Sequence, residues 1–141
     1  MLRRLDNLQP WGALLLRLAL GTTMAFYGYQ KLSPPGGWTH GAALGGMRHF
    51  AHYVATLHLP AWLGYVSVLT EFLGGLLLIA GLLTRFAALM IAGNMLVAYF
   101  AVNIHERYTD QQLTLVLFAT ACMLVFYGPG ALAADYRAGI E

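Results

Sequence analysis

Arg17, Glu71 and Asn94 stand almost alone within long apolar runs of the sequence. Charged groups at membrane depth are costly, so each needs a partner or a purpose. A buried arginine and carboxylate together can hold a carbonyl or an anionic head group. A buried carboxylate can also carry protons. The flanking residues tell where these groups point. Arg17, Gly21, Met24, Gly28 and Lys31 fall at offsets 0, 4, 7, 11 and 14, one narrow stripe of a helix. The two glycines let a second helix approach closely, which turns the charges toward that contact and away from lipid. Gly64, Ser67, Glu71, Gly75, Leu78 and Leu82 form a similar face, and Asn94, Ala98, Ala101 and His105 a third. Counted at about 1.5 Å per residue from the side of the termini, Arg17 lies about 9 Å deep, Asn94 about 13 Å and Glu71 about 18 Å. The expectation is a buried Arg17–Glu71 pair with Asn94 nearby, and Lys31 and His105 toward the opposite mouth. The plainer reading is that such a pair only fixes helix register.

The elements that must position these residues are four apolar stretches, at about 11–30, 60–83, 85–103 and 112–127. Each is near the roughly 17–25 residues that cross a bilayer as helix, the last being short. An isolated strand would leave its backbone groups unpaired in lipid, so helix is required. Pro10 and Pro60 suit first helical turns. Pro34-Pro35-Gly36-Gly37 ends the first helix, residues 106–110 make a polar turn, and Gly128-Pro129-Gly130 ends the fourth. The short break at Thr84-Arg85 makes the second and third helices an antiparallel hairpin. Between the first two spans, about 40–58, Phe50, Tyr53, Val54 and Leu57 share one face, and His49 and His52 share another with Arg48. This predicts a short amphipathic helix at the interface. The fold class is therefore all-α: a polytopic membrane four-helix bundle, read as a single domain over 1–141.

Composition agrees. Of 141 residues, 59% are hydrophobic and 10% charged, with a formal net charge of +2. Soluble domains carry about 25% charge. The balance excludes disorder and the dense basic surface that nucleic acid requires. One cysteine, Cys122, cannot form an internal disulfide or a dithiol pair. The histidines at 40, 49, 52, 58 and 105 lack the cysteine or carboxylate neighbours of a metal site, so no metal is expected. No phosphate loop or nucleophile elbow is present. Arg17 interrupts the first apolar run, and no small-residue cleavage site follows, so that run reads as a retained span. Arg3, Arg4, Arg85 and Arg137 fall on the side of the termini, against Lys31, Arg48 and Arg107 opposite, which favours cytoplasmic termini.

Several motifs carry a family pattern. Arg17-Leu-Ala-Leu-Gly21, followed by Gly28-x-x-Lys31-Leu32, resembles the first-helix signature of the DoxX family. The run from Glu71-Phe-Leu-Gly74-Gly75 to Gly81-Leu-Leu-Thr-Arg85 is similar to its second-helix motif. Gly128-Pro129-Gly130 and Asp135 are similar to its C-terminal signature. The resemblance covers nearly the whole chain and implies a four-helix protein of the bacterial cytoplasmic membrane. It also implies association with redox systems. One branch includes a subunit of a thiosulfate–quinone oxidoreductase, and others accompany thiol- or superoxide-handling proteins. Arg17, Lys31, Glu71 and Arg85 match the family's polar positions. Gln111-Gln112 departs from it, since members often carry a glutamate there. That departure removes the second acidic group of a two-carboxylate proton relay.

The expected function is an accessory membrane subunit of a redox or respiratory-type assembly. It docks a membrane or redox partner and shapes a quinone- or lipid-sized cleft, with quinone as the one cofactor to consider and a homo-oligomer left open. The alternatives are an autonomous quinone-linked oxidoreductase and a small proton-coupled transporter using Glu71.

Overall fold

The computed structural model describes residues 8–33, 43–102 and 108–139. They fold as helices α1 (Gln9–Leu32), α2 (Ala43–Thr56), α3 (Trp62–Ala80), α4 (Thr84–Ala101) and α5 (Tyr108–Tyr127), followed by the single turn α6 (Asp135–Ala138). The fold is all-α. His105 and the first residues of the expected interfacial helix, 40–42, lie outside the described residues.

Close backbone contact sets the register of α1 on α3. A Cβ at Gly21 would come 2.9 Å from the Gly75 carbonyl oxygen. One at Gly28 would overlap the backbone nitrogen of Phe72, and one at Gly75 would overlap that of Ala25. Only glycine permits this approach, and it makes α1–α3 the most extensive helix pair. α4 packs mainly on α5, and the two pairs meet around Leu20, Met24, Leu78, Ile91, Met95 and Leu124. α2 lies against α3 and the end of α1. There, Gly46 approaches the Leu32 carbonyl and Gly64 approaches Ala51.

The hairpin between α3 and α4 differs from expectation. The apolar run continues to Leu83, but the helix stops at Ala80 because Gly81 turns left-handed, φ +68°. The Gly81 and Leu82 N–H groups then close back onto Leu78 and Leu77, as in a Schellman cap. Leu83 is also left-handed, φ +50°, a conformation that a branched side chain adopts only when held. The other correction is at α5. Its helix begins at Tyr108, inside the stretch assigned to a polar turn. Hydropathy marks where an apolar run ends, and a helix can continue past that point.

α3 and α4 are long and apolar enough to cross a membrane, and residues 111–127 form a shorter apolar helix. Large apolar side chains face outward on all four long helices, among them Leu15, Phe26, Leu73, Leu89, Phe100 and Phe126.

Candidate functional site

Among the described residues, the buried charged side chains fall into two clusters. Glu71 sits at the midpoint of α3, about 14 Å from either end at 1.5 Å per residue. It is 3% exposed. Its Oε1 accepts from Lys31 Nζ at 2.7 Å, from Asn94 Nδ2 at 2.9 Å and, more weakly, from Ser67 Oγ at 3.4 Å. Lys31 Nζ also lies 4.3 Å from the centre of the Phe50 ring, so one ammonium joins α1, α2 and α3. Glu71 Oε2 is buried and has no partner among the described residues.

The expected Arg17–Glu71 pair is therefore replaced by Lys31–Glu71. The register explains why. Each step up α1 is a step back along α3. From the contacts of Ala25 with Gly75 and Gly28 with Phe72, Arg17 falls level with Leu83, beyond the end of α3. Lys31 falls level with Leu69, beside Glu71. Lys31 thus belongs to the central cluster; His105, expected beside it at the opposite mouth, lies outside the described residues. The glycine spacings carried this information, because they fix the register that a depth count from helix ends only approximates.

Arg17 belongs to the second cluster, at the end of the bundle near the α3–α4 turn. It is 2% exposed. Its Nη1 donates to the Pro129 carbonyl at 2.7 Å, and Asp135 is close enough to act on its charge. The Asp135 carboxylate accepts from the backbone N–H groups of Leu83 and, at 2.9 Å, of Thr84. It thereby caps α4 from another part of the chain. The Asp135 N–H donates to the Gly81 carbonyl at 2.9 Å, and the Ala131 N–H to the Pro10 carbonyl at 2.9 Å. A Cβ at Gly81 would stand 2.6 Å from Arg17 Nη1. The segment 128–135 is thus strapped across the bundle end, with Arg17 as its internal post. Every partner named here is structural.

The Glu71 cluster opens on a cavity. A space of about 330 Å³ lies between α2, α3 and α4, with Lys31 at one edge. Phe50, Tyr53, Val54 and Leu57 form the α2 wall, Leu63, Val66 and Thr70 line the α3 side, and Gly93, Val97 and Ala98 line α4. Ser67, Glu71 and Asn94 supply its polar end. The size falls at the lower end of small-molecule sites, about 300–1,000 Å³. An apolar cleft with a few convergent polar groups suits a lipid-soluble molecule with a polar head. Gly93 and Thr70 also line the cavity, and their residue types do not mark them as site residues in the sequence. Gly93 could have been suspected from its position beside Asn94. Among the described residues no group of three or more His, Cys, Asp or Glu could hold a metal, and Cys122 is free.

An all-α, glycine-packed bundle with a carboxylate buried at mid-helix, paired with a lysine from the last turn of α1, defines a small membrane protein of the type the sequence motifs suggested. The DoxX family pattern matches residues 12–104, and the chain belongs to the DoxX family of membrane proteins. It is also similar to a protein of Bacillus subtilis (strain 168) named Putative oxidoreductase CatD, at 26% identity over 125 residues, 88% of this chain and 84% of the relative. No solved structure matches.

Proposed function

We propose that the protein is a four-span membrane subunit of a redox assembly that binds a quinone-class molecule in the cleft beside Glu71. The observation that carries this reading is the cavity of about 330 Å³, apolar along its walls and ending on the Lys31–Glu71–Asn94 cluster. The outward-facing apolar side chains on all four long helices support immersion in lipid. The four arginines on the side of the termini, against three cations opposite, support placing both termini in the cytoplasm, within a bacterial inner membrane. In this arrangement the chain supplies the binding cleft, and a redox partner protein docked in the membrane supplies the electron path. The lone cysteine supports that division, since it cannot cycle between thiol and internal disulfide.

An autonomous quinone-linked oxidoreductase is the second reading, favoured by the name of the Bacillus subtilis relative. Purification in mild detergent distinguishes the two. Co-purification of a redox protein together with bound quinone supports the subunit reading. Turnover of a quinone by the chain alone supports the second. Failure of the purified chain to bind decylubiquinone in either redox state refutes both.

A further inference from the structure

The carboxylate of the central cluster offers no free face to an occupant of the cleft. Lys31, Asn94 and Ser67 all meet Glu71 Oε1, and Oε2 is buried within the protein. The donors around it keep capacity. An ammonium carries three N–H groups and a side-chain amide two. Lys31 gives one to Glu71 and rests over the Phe50 ring, and Asn94 gives one to Glu71. No acceptor among the described residues takes the others. Both residues line the cavity, and the Lys31 side chain is 26% exposed. The accessible polar end of the cleft is thus made of donors, with the lysine charge already balanced by Glu71. It suits a neutral acceptor such as a ketone carbonyl. An anionic head would place a second negative charge beside the carboxylate.

The walls of the cleft show how such a molecule reaches it. Glu71 and Asn94 stand level, joined across 2.9 Å. Beyond them, toward the α3–α4 turn, α3 contributes no lining residue, whereas α4 continues the wall for more than a turn, to Met90 and Leu89. The cleft has a single wall there and opens outward, with Leu89 58% and Met90 40% exposed. Leu89 is about 7–8 Å along α4 from its first residue, Thr84. The opening therefore lies on the flank of a helix apolar and long enough to cross a membrane, within its length and not at its end. No lining residue at this opening is charged.

Resting on the quinone-class reading above, we propose that the occupant is a neutral, carbonyl-bearing molecule dissolved in the bilayer, which enters the cleft sideways past Leu89 and Met90. Its carbonyl accepts from Lys31 Nζ. Any apolar chain it carries leaves by the same flank and stays in lipid. Glu71 is a positioning residue here: it holds Lys31 and Asn94 and does not touch the occupant. A cleft of about 330 Å³ closed on all sides would reject a long polyprenyl chain, whereas one open at its flank is indifferent to chain length, because lipid and groove are equally apolar.

Stopped-flow binding of decylubiquinone and ubiquinone-10 to the purified full chain in proteoliposomes, read as saturable quenching of tryptophan fluorescence, tests this. At equal mole fraction in the bilayer the two bind within about threefold of each other. Leu89→Phe with Met90→Phe narrows the opening and slows association and release together, by about tenfold, with the affinity kept; either single change serves where the pair is not monodisperse. Leu96→Phe, on the same helix and off the cleft, changes neither rate. Lys31→Met combined with Glu71→Gln weakens binding about tenfold or more, since a hydrogen bond from a charged group is lost. Decylubiquinone binding without ubiquinone-10 overturns the open flank, and unchanged rates in the narrowed variants overturn the sideways entry. Unchanged affinity in the Lys31 and Glu71 double variant overturns the Lys31 contact. Palmitate competing as tightly as decylubiquinone overturns the neutral head and identifies an anionic lipid. The first three of these leave the quinone-class reading standing, whereas binding of neither quinone overturns both.

Discussion

Replacing Asp135 with alanine should destabilise the bundle without touching the cleft. Asp135 is 3% exposed, and its two oxygens accept the backbone N–H groups of Leu83 and Thr84. These donors begin α4, where no preceding helical carbonyl is available. A hydrogen bond to a charged group contributes about 1.5–3 kcal/mol. The Leu83 bond is part-buried and the Thr84 bond buried, so the larger share of the loss falls on the Thr84 N–H, which stays unpaired. Arg17 also loses the negative charge nearest to it. The expected cost is about 2–4 kcal/mol. Titration of the purified protein with denaturing detergent, followed by tryptophan fluorescence, measures it. Asp135→Asn, which keeps one acceptor oxygen, should fall between the two. Asp135→Ala combined with Arg17→Met should cost less than the sum of the single changes, because the stranded cation is gone. A loss below about 1 kcal/mol for Asp135→Ala, or strict additivity with Arg17→Met, would show that the strap is not the clamp described.

Three further outcomes follow from the same contacts. Lys31→Met should destabilise by about 1–3 kcal/mol, less than the 3–5 of a fully buried pair because the lysine side chain is 26% exposed; adding Glu71→Gln should recover part of this in the same titration. Gly28→Leu should abolish accumulation of monodisperse protein on size exclusion, since its side chain would enter the backbone at Phe72, and near-normal yield would contradict the α1–α3 register. A reporter active only in the cytoplasm should be active at either terminus and inactive when inserted within residues 34–40; activity there would invert the proposed topology.

The sequence made the helices legible, because apolar runs bounded by Pro, Gly and polar clusters leave few alternatives. It also made Glu71 and Asn94 recognisable as a polar pair at depth. The identity of the cation was harder to read. Arg17 and Lys31 share one stripe of α1, and face alone does not choose between them. Height chooses, and height depends on where Gly28 and Gly75 lock the two backbones together. The strap was visible only as a motif. Nothing in the spacing of Gly128-Pro129-Gly130 and Asp135 announces that their carbonyl and carboxylate reach a helix cap and an arginine far away in the chain. That Oε2 has no partner among the described residues is likewise a property of three-dimensional convergence, since three donors meet the other oxygen.

The bond between Arg17 and Pro129 links residues 112 apart, and this separation has a consequence in time. On the four-span topology, Arg17 enters the membrane with the first helix. At about 5–20 residues per second, the chain that will satisfy it is synthesised roughly 5–20 s later. Until then the guanidinium must remain with water, lipid phosphate or the insertion machinery, so the first helix cannot settle into its final position alone. Closing of the bundle is therefore an event that waits for residues 128–135, and loss of this strap should be recognised as an unfinished protein even when the helices that precede it are present.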